Sequence, residues 1–87
     1  MHKHRSHPEI VKRLRRAEGH LRSTIAMMEE GRPCGDLAQQ LRAVESAVAS
    51  AKRELIHDHI EHCLDDTGDA AEVRGTIEEL KSLAKYL

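Results

Sequence analysis

The stretch CGDLAQQLRAVESAVASAKRELIHDHIEHCLDD, residues 34–66, holds a single glycine, at its second position, and no proline. Leu37, Leu41, Val44, Val48, Ala51 and Leu55 recur through it at alternating spacings of four and three, the seam of a long amphipathic helix. Ile56, Ile60 and Leu64 widen the apolar surface toward its end, while Ala43, Ala47 and Ala51 are small enough to admit a neighbouring helix closely. The pattern predicts a helix from near Gly35-Asp36 to the glycine at 68. Its ~30 residues would make a rod about 45 Å long. A compact chain of this size has a radius of gyration of about 12 Å, hence a diameter of roughly 30 Å. The rod overruns any globule the chain could build alone, so part of its seam stays wet in a monomer. The simplest cover is a second copy packed antiparallel about a two-fold axis.

Working outward, Ser6-His7-Pro8-Glu9 reads as a helix start, with Ser6 as cap, Glu9 three residues on and Pro8 tolerated in the first turn. Ile10, Leu14, Ala17, Leu21, Ile25 and Met28 form one stripe on this first helix, which Gly31 and Pro33 end. A third helix is expected after Thr67-Gly68-Asp69, capped by Asp69 with Glu72 and apolar along Val73, Ile77, Leu80, Ala84 and Leu87. The expectation is an all-α, three-helix protomer: residues 1–7 a polar, His-rich arm, residues 8–87 a single domain. Tyr86 is the only aromatic residue, so the core must be built from Ile, Leu, Val, Met and Ala. Met27 and Met28 read as part of it.

The net charge is only −1 but unevenly spread. Residues 1–24 carry seven Lys/Arg against two Asp/Glu, and the remainder carries seven against thirteen. Lys12, Arg13, Arg15, Arg16 and Arg22 make the first helix cationic, which points to an anionic partner, nucleic acid first. The alternative is a solvated basic face. No run approaches the ~20 apolar residues of a membrane span, and no signal-like apolar segment opens the chain. A cytoplasmic protein without membrane contact is expected, in which cysteine means metal or reactivity more often than a disulfide.

His59 and Cys63 stand four residues apart, one turn above each other, so one ion can reach both. Cys34 opens the same helix, where free backbone N–H groups favour its thiolate. Within one chain, however, the 25 residues between Cys34 and His59 separate them by about 37 Å of helix. Across an antiparallel dimer the start of one rod meets the end of the other, and the donors converge twice per dimer. Two thiolates and an imidazole suit Cu(I) or Zn(II), or Ni(II) and Co(II) with further ligands. His2, His4 and His7 of the arm hang within reach. His57 and His62 point elsewhere on the helical wheel and read as solvated, Glu61, Asp65 and Asp66 as ordinary surface charges, and His20 as surface or part of a DNA-facing belt.

Over nearly its whole length the chain resembles the CsoR/RcnR/FrmR family of bacterial repressors. The stretches that carry the resemblance are IVKRLRRAEGHLRSTIAMMEEGRPCGDLAQQLRAVESAV (residues 10–48) and ELIHDHIEHCLDD (residues 54–66), with the spacing Cys34, His59, Cys63. The resemblance implies an antiparallel dimer that pairs into a tetramer, bound to operator DNA when metal-free and released by its effector to switch on an efflux or detoxification gene. It implies DNA contacts mainly to phosphate and local shape, with Lys12 through Arg16 on the basic helix. His2 corresponds to the arm histidine of nickel and cobalt sensors, so the implied ligand set is His2, Cys34, His59 and Cys63. The chain looks closest to the nickel/cobalt efflux repressors called DmeR. Copper sensors share Cys34, His59 and Cys63 but often carry Tyr where Pro33 stands, and Glu79 matches their glutamate behind the ligating histidine. Persulfide sensors need a cysteine at the place of His59, and formaldehyde sensors a proline at the place of His2.

Two other classes compete. A metal buffer or chaperone would use the same ligands but has no need of the basic first helix. A cysteine enzyme with Cys34 as nucleophile would need an oxyanion loop and a pocket for a small-molecule substrate, and neither is legible here. No enzyme activity and no such substrate are expected.

Overall fold

The computed structural model describes residues 7–65 and 69–87, and the side chains of all of these except 63–65. Three helices follow one another: α1 (His7–Glu29), α2 (Cys34–Asp65) and α3 (Ala70–Ala84). The proposed Ser6 cap and the residues Thr67-Gly68 lie outside the described residues. The first helix starts at His7, so Pro8 falls in its first turn, where a missing N–H costs nothing.

The α1–α2 turn is closed by backbone chemistry. Gly31 has φ of +76°, the left-handed conformation. Its N–H donates to the carbonyl of Met28 (3.1 Å), and the Arg32 N–H donates to that of Met27 (3.1 Å). That pair of bonds is the Schellman motif, with glycine where a Cβ would be strained. The Pro33 carbonyl then accepts from the N–H groups of Asp36 (3.0 Å) and Leu37 (3.2 Å). The second helix therefore begins at Cys34, slightly before the expected Gly35-Asp36. At α3, Asp69 is the cap: its side chain accepts from the Glu72 N–H at 2.9 Å. This helix ends at Ala84, so Leu87 lies beyond it.

Between α1 and α2, an antiparallel pair, the core is narrow and regular. Ile10, Ala17 and Thr24 are buried on α1, seven residues apart, and Leu37, Val44 and Ala51 on α2 repeat that interval before Ile56. Thr24, only 1% exposed, donates its hydroxyl to the His20 carbonyl at 2.8 Å. The bond satisfies a polar group that the apolar stripe did not anticipate.

Alternate members of both predicted stripes are not in that core. Leu14, Leu21, Ile25 and Met28 on α1 are 40–51% exposed, and Leu41, Val48 and Leu55 on α2 are 39–46% exposed. Met28 is thus on an open face and Met27 only half-buried, contrary to the reading of both as core. The reason is architectural. The molecule measures 59 × 23 × 13 Å, with a radius of gyration of 17.8 Å. Its thinnest dimension is about one helix diameter, and a single layer of helices buries one seam and leaves the other bare. Among the described residues no helix is long and apolar enough to cross a membrane.

Candidate metal centre

The long helix α2 sets the site. Cys34, its first residue, carries an exposed thiol. His59 and Cys63 stand in its last two turns, and nothing is described of the Cys63 side chain. The helix is continuous between them, so the two ends of the donor set are about 37 Å apart within one chain. Accordingly, among the described residues no three His, Cys, Asp or Glu side chains gather around one ion-sized point. His2 and His4 lie outside the described residues.

His59 is half-buried, and its Nε2 is shut off from solvent. That nitrogen lies 2.8 Å from Oε1 of Glu79. The third helix therefore brings Glu79 onto the imidazole, where the resemblance had put a supporting glutamate.

A second contact involves a residue that the sequence reading passed over. Asp58 is nearly buried, its side chain 11% exposed. Oδ1 lies 3.6 Å from Nε2 of His62, one turn on, and Oδ2 lies 3.9 Å from Nε2 of His7, the first residue of α1. His62 is thus half-buried beside a carboxylate, not solvated as its wheel position suggested. The Asp58–His62 spacing of four was the available signal; the approach of His7 is tertiary and left none. His57 and Glu61 are exposed, as expected.

On α1, Lys12, Arg13, Arg15, Arg16 and Arg22 are all exposed. Arg13 pairs with Glu54 of α2 at 2.9 Å, and Arg22 reaches Glu18 at 3.8 Å. Arg13 and Arg16 line a shallow groove of about 250 Å³ with Ala17, His20, Ala47 and Ser50. His20 is not plain surface: its Nε2 lies 2.6 Å from Oε1 of Gln40, a bond across the hairpin. Arg15 and Arg22, seven residues apart, share a second face of the helix.

This arrangement can be compared with known proteins. The sequence model of a family described as metal-sensitive transcriptional repressors matches residues 6–86. The copper-sensing transcriptional repressor CsoR of Bacillus subtilis is 34% identical over 77 residues, 88% of this chain and 76% of that protein. The protein of the same name from Mycobacterium ulcerans is 38% identical over 81 residues, 87% of this chain. The match spans 65% of that relative's length, a little under two thirds. The solved structure titled the nickel-responsive transcriptional regulator InrS superposes with a TM-score of 0.83 at 31% identity, covering 100% of this chain and 99% of that one. With fold, length and sequence agreeing in this way, the chain belongs to the family of metal-sensitive transcriptional repressors.

Proposed function

We propose that this chain holds operator DNA in its metal-free form and lets go when Ni(II) or Co(II) binds, switching on a metal efflux gene. The observation that carries the reading is the divided donor set: Cys34 opens α2, and His59 and Cys63 close it. A sensor built this way must be at least a dimer, with Cys34 of one protomer beside His59 and Cys63 of another. The open face of Leu14, Leu21, Leu41, Val48 and Leu55 is the surface such a partner would cover. In the full assembly two dimers form a cytoplasmic tetramer, each protomer a domain of residues 8–87 behind an arm of residues 1–7.

The residues fit such an ion chemically. Thiolates and imidazole are the donors that borderline and soft ions prefer, and each must shed its proton to bind. His59 turns Nε2 toward Glu79, so Nδ1 is the atom it would offer. A carboxylate behind the distal nitrogen is how ligating histidines are commonly oriented. His2 supplies the fourth donor from the arm just before α1. Bound there, an ion would supply a cross-link between the residues at the start of one α2 and those at the end of another. DNA is held by phosphate contacts from Lys12, Arg13, Arg15, Arg16 and Arg22, all exposed on α1.

Ni(II) and Co(II) are favoured by His2, by Pro33 in place of tyrosine and by the full-length likeness to a nickel-responsive regulator. The second reading is a Cu(I) sensor using Cys34, His59 and Cys63 alone, favoured by the relatives named copper-sensing. Anaerobic titration with each metal, following thiolate–metal absorption and the anisotropy of a labelled duplex from the chain's own promoter, separates them. Release by Ni(II) or Co(II), lost in Cys34→Ala and largely lost in His2→Ala despite retained metal binding, is the expected result. Release by Cu(I) alone, with His2→Ala behaving as wild type, would hand the case to copper. Metal binding without any affinity for DNA would leave a buffer or chaperone.

A further inference from the structure

We infer that Asp58 is the positioning residue through which the ligand-bearing end of α2 holds the start of the DNA-binding helix α1. The inference rests on the proposed function, in which His59 and Cys63 hold the ion and α1 holds DNA. Asp58 is the residue before His59. At 11% exposure its side chain is far more enclosed than Glu54 (40%) or Glu79 (53%), the carboxylates nearest in role. A carboxylate withdrawn from water to that degree needs compensating partners. Two imidazoles face it: His62 at 3.6 Å from Oδ1 and His7 at 3.9 Å from Oδ2. Along the cleft of about 330 Å³ that Asp58 borders, Glu9, Arg13, Glu54, His57 and Glu61 complete the charged surroundings.

The connectivity of this trio is what matters. His62 is the immediate neighbour of Cys63 and His7 is the first residue of α1, with Lys12 and Arg13 following within two turns. Beyond the α1–α2 seam itself, Asp58 is thus a polar tie between the turn that carries the ligands and the turn that enters the basic helix. Any rotation of the end of α2 that brings His59 and Cys63 onto an ion carries Asp58 with it, because all three share two turns of one helix. The two oxygens cannot keep both histidines unless α1 follows. The tie converts a local rearrangement at the ligands into displacement of Lys12 and Arg13 relative to the phosphates.

The test uses the full chain, with Asp58→Asn, which keeps shape and removes charge, and His7→Gln, which leaves α2 untouched. Three quantities are read for each: Ni(II) affinity by competition, promoter-duplex affinity with and without saturating Ni(II), and amide hydrogen exchange of residues 11–13, the first intrahelically bonded amides of α1, in the metal-free protein. Wild type should lose DNA affinity about 5- to 150-fold on loading, the usual range of allosteric coupling. In Asp58→Asn that ratio should fall below about 5-fold, the low end of the same range, while Ni(II) still binds. Exchange at the start of α1 should quicken in both variants without metal or DNA present. Full wild-type release in Asp58→Asn and His7→Gln, or unchanged exchange in both, would overturn the inference alone. A wild-type chain whose DNA affinity ignores every metal would overturn the underlying reading with it. Should Asp58→Asn fail to fold, judged by helix content, His7→Gln decides by itself, since His7 is exposed on the helix surface.

Discussion

Because one α2 holds Cys34 at its first residue and His59 and Cys63 in its last turns, the proposed metal site should be lost and recovered in a way that counts protomers. The ~37 Å of rigid helix between Cys34 and His59 exceeds by more than tenfold the ~2.0–2.3 Å over which nitrogen and sulfur ligate a metal. No bending of the helix closes that gap, so Cys34→Ala and Cys63→Ala should each abolish the complete site. In a two-fold dimer the two sites are related by symmetry, and each takes its first cysteine from one chain and its second from the other. A mixed dimer then has one site with both lesions and one with none. After random exchange of equal amounts, half the dimers are mixed, so about one quarter of the wild-type sites should reappear. Thiolate-to-Ni(II) absorption reads this directly: near baseline for each variant alone, about a quarter of the wild-type amplitude after mixing under mild denaturant and refolding. Full amplitude from either variant alone, or none after verified exchange, would refute the shared site.

The turn, the basic helix and the bare seam each give one further expected outcome. Gly31→Ala puts a Cβ on a residue at φ +76° and should cost about 1–2 kcal/mol; since nothing crowds the position, a urea midpoint equal to wild type would mean the turn can relax. Arg16→Glu should weaken DNA binding across sequences and flatten the log–log salt dependence by about one unit for each phosphate left unneutralised; unchanged affinity would remove this face of α1 from the interface. Val48→Asp, at a position 46% exposed on the bare seam, should leave the hairpin helical but lower the mass measured by light scattering, and an unchanged assembly would mean that another surface joins the chains.

Helix ends were legible because they are set by local chemistry. Gly31 takes a conformation that other residues resist, and Asp69 caps with its own side chain. The length of α2 was readable for the same reason, as nothing in its interior breaks it. Which apolar residues meet was not readable. Leu37 and Leu41 are equivalent in any periodicity, yet one is buried against α1 and the other is open. That choice is made by how many layers of helix exist, a property of the assembly. The site divides likewise: the spacing of Cys34, His59 and Cys63 was visible, and Glu79 came only from the resemblance. The contacts of Asp58 with His7 and of His20 with Gln40 were invisible because they cross the hairpin.

The 13 Å thickness has a bearing on how the protein survives dilution. A sheet of helices one layer deep has a seam but no enclosed interior, and below about 100 residues even a rounded domain is only marginally stable. In the proposed dimer, association would add to that margin, and the thermal midpoint should climb with protein concentration. Under the proposed function, any ion that staples two chains would lengthen the protein's lifetime as well as end its hold on DNA. The cell's supply of metal would set both how active the repressor is and how much of it persists.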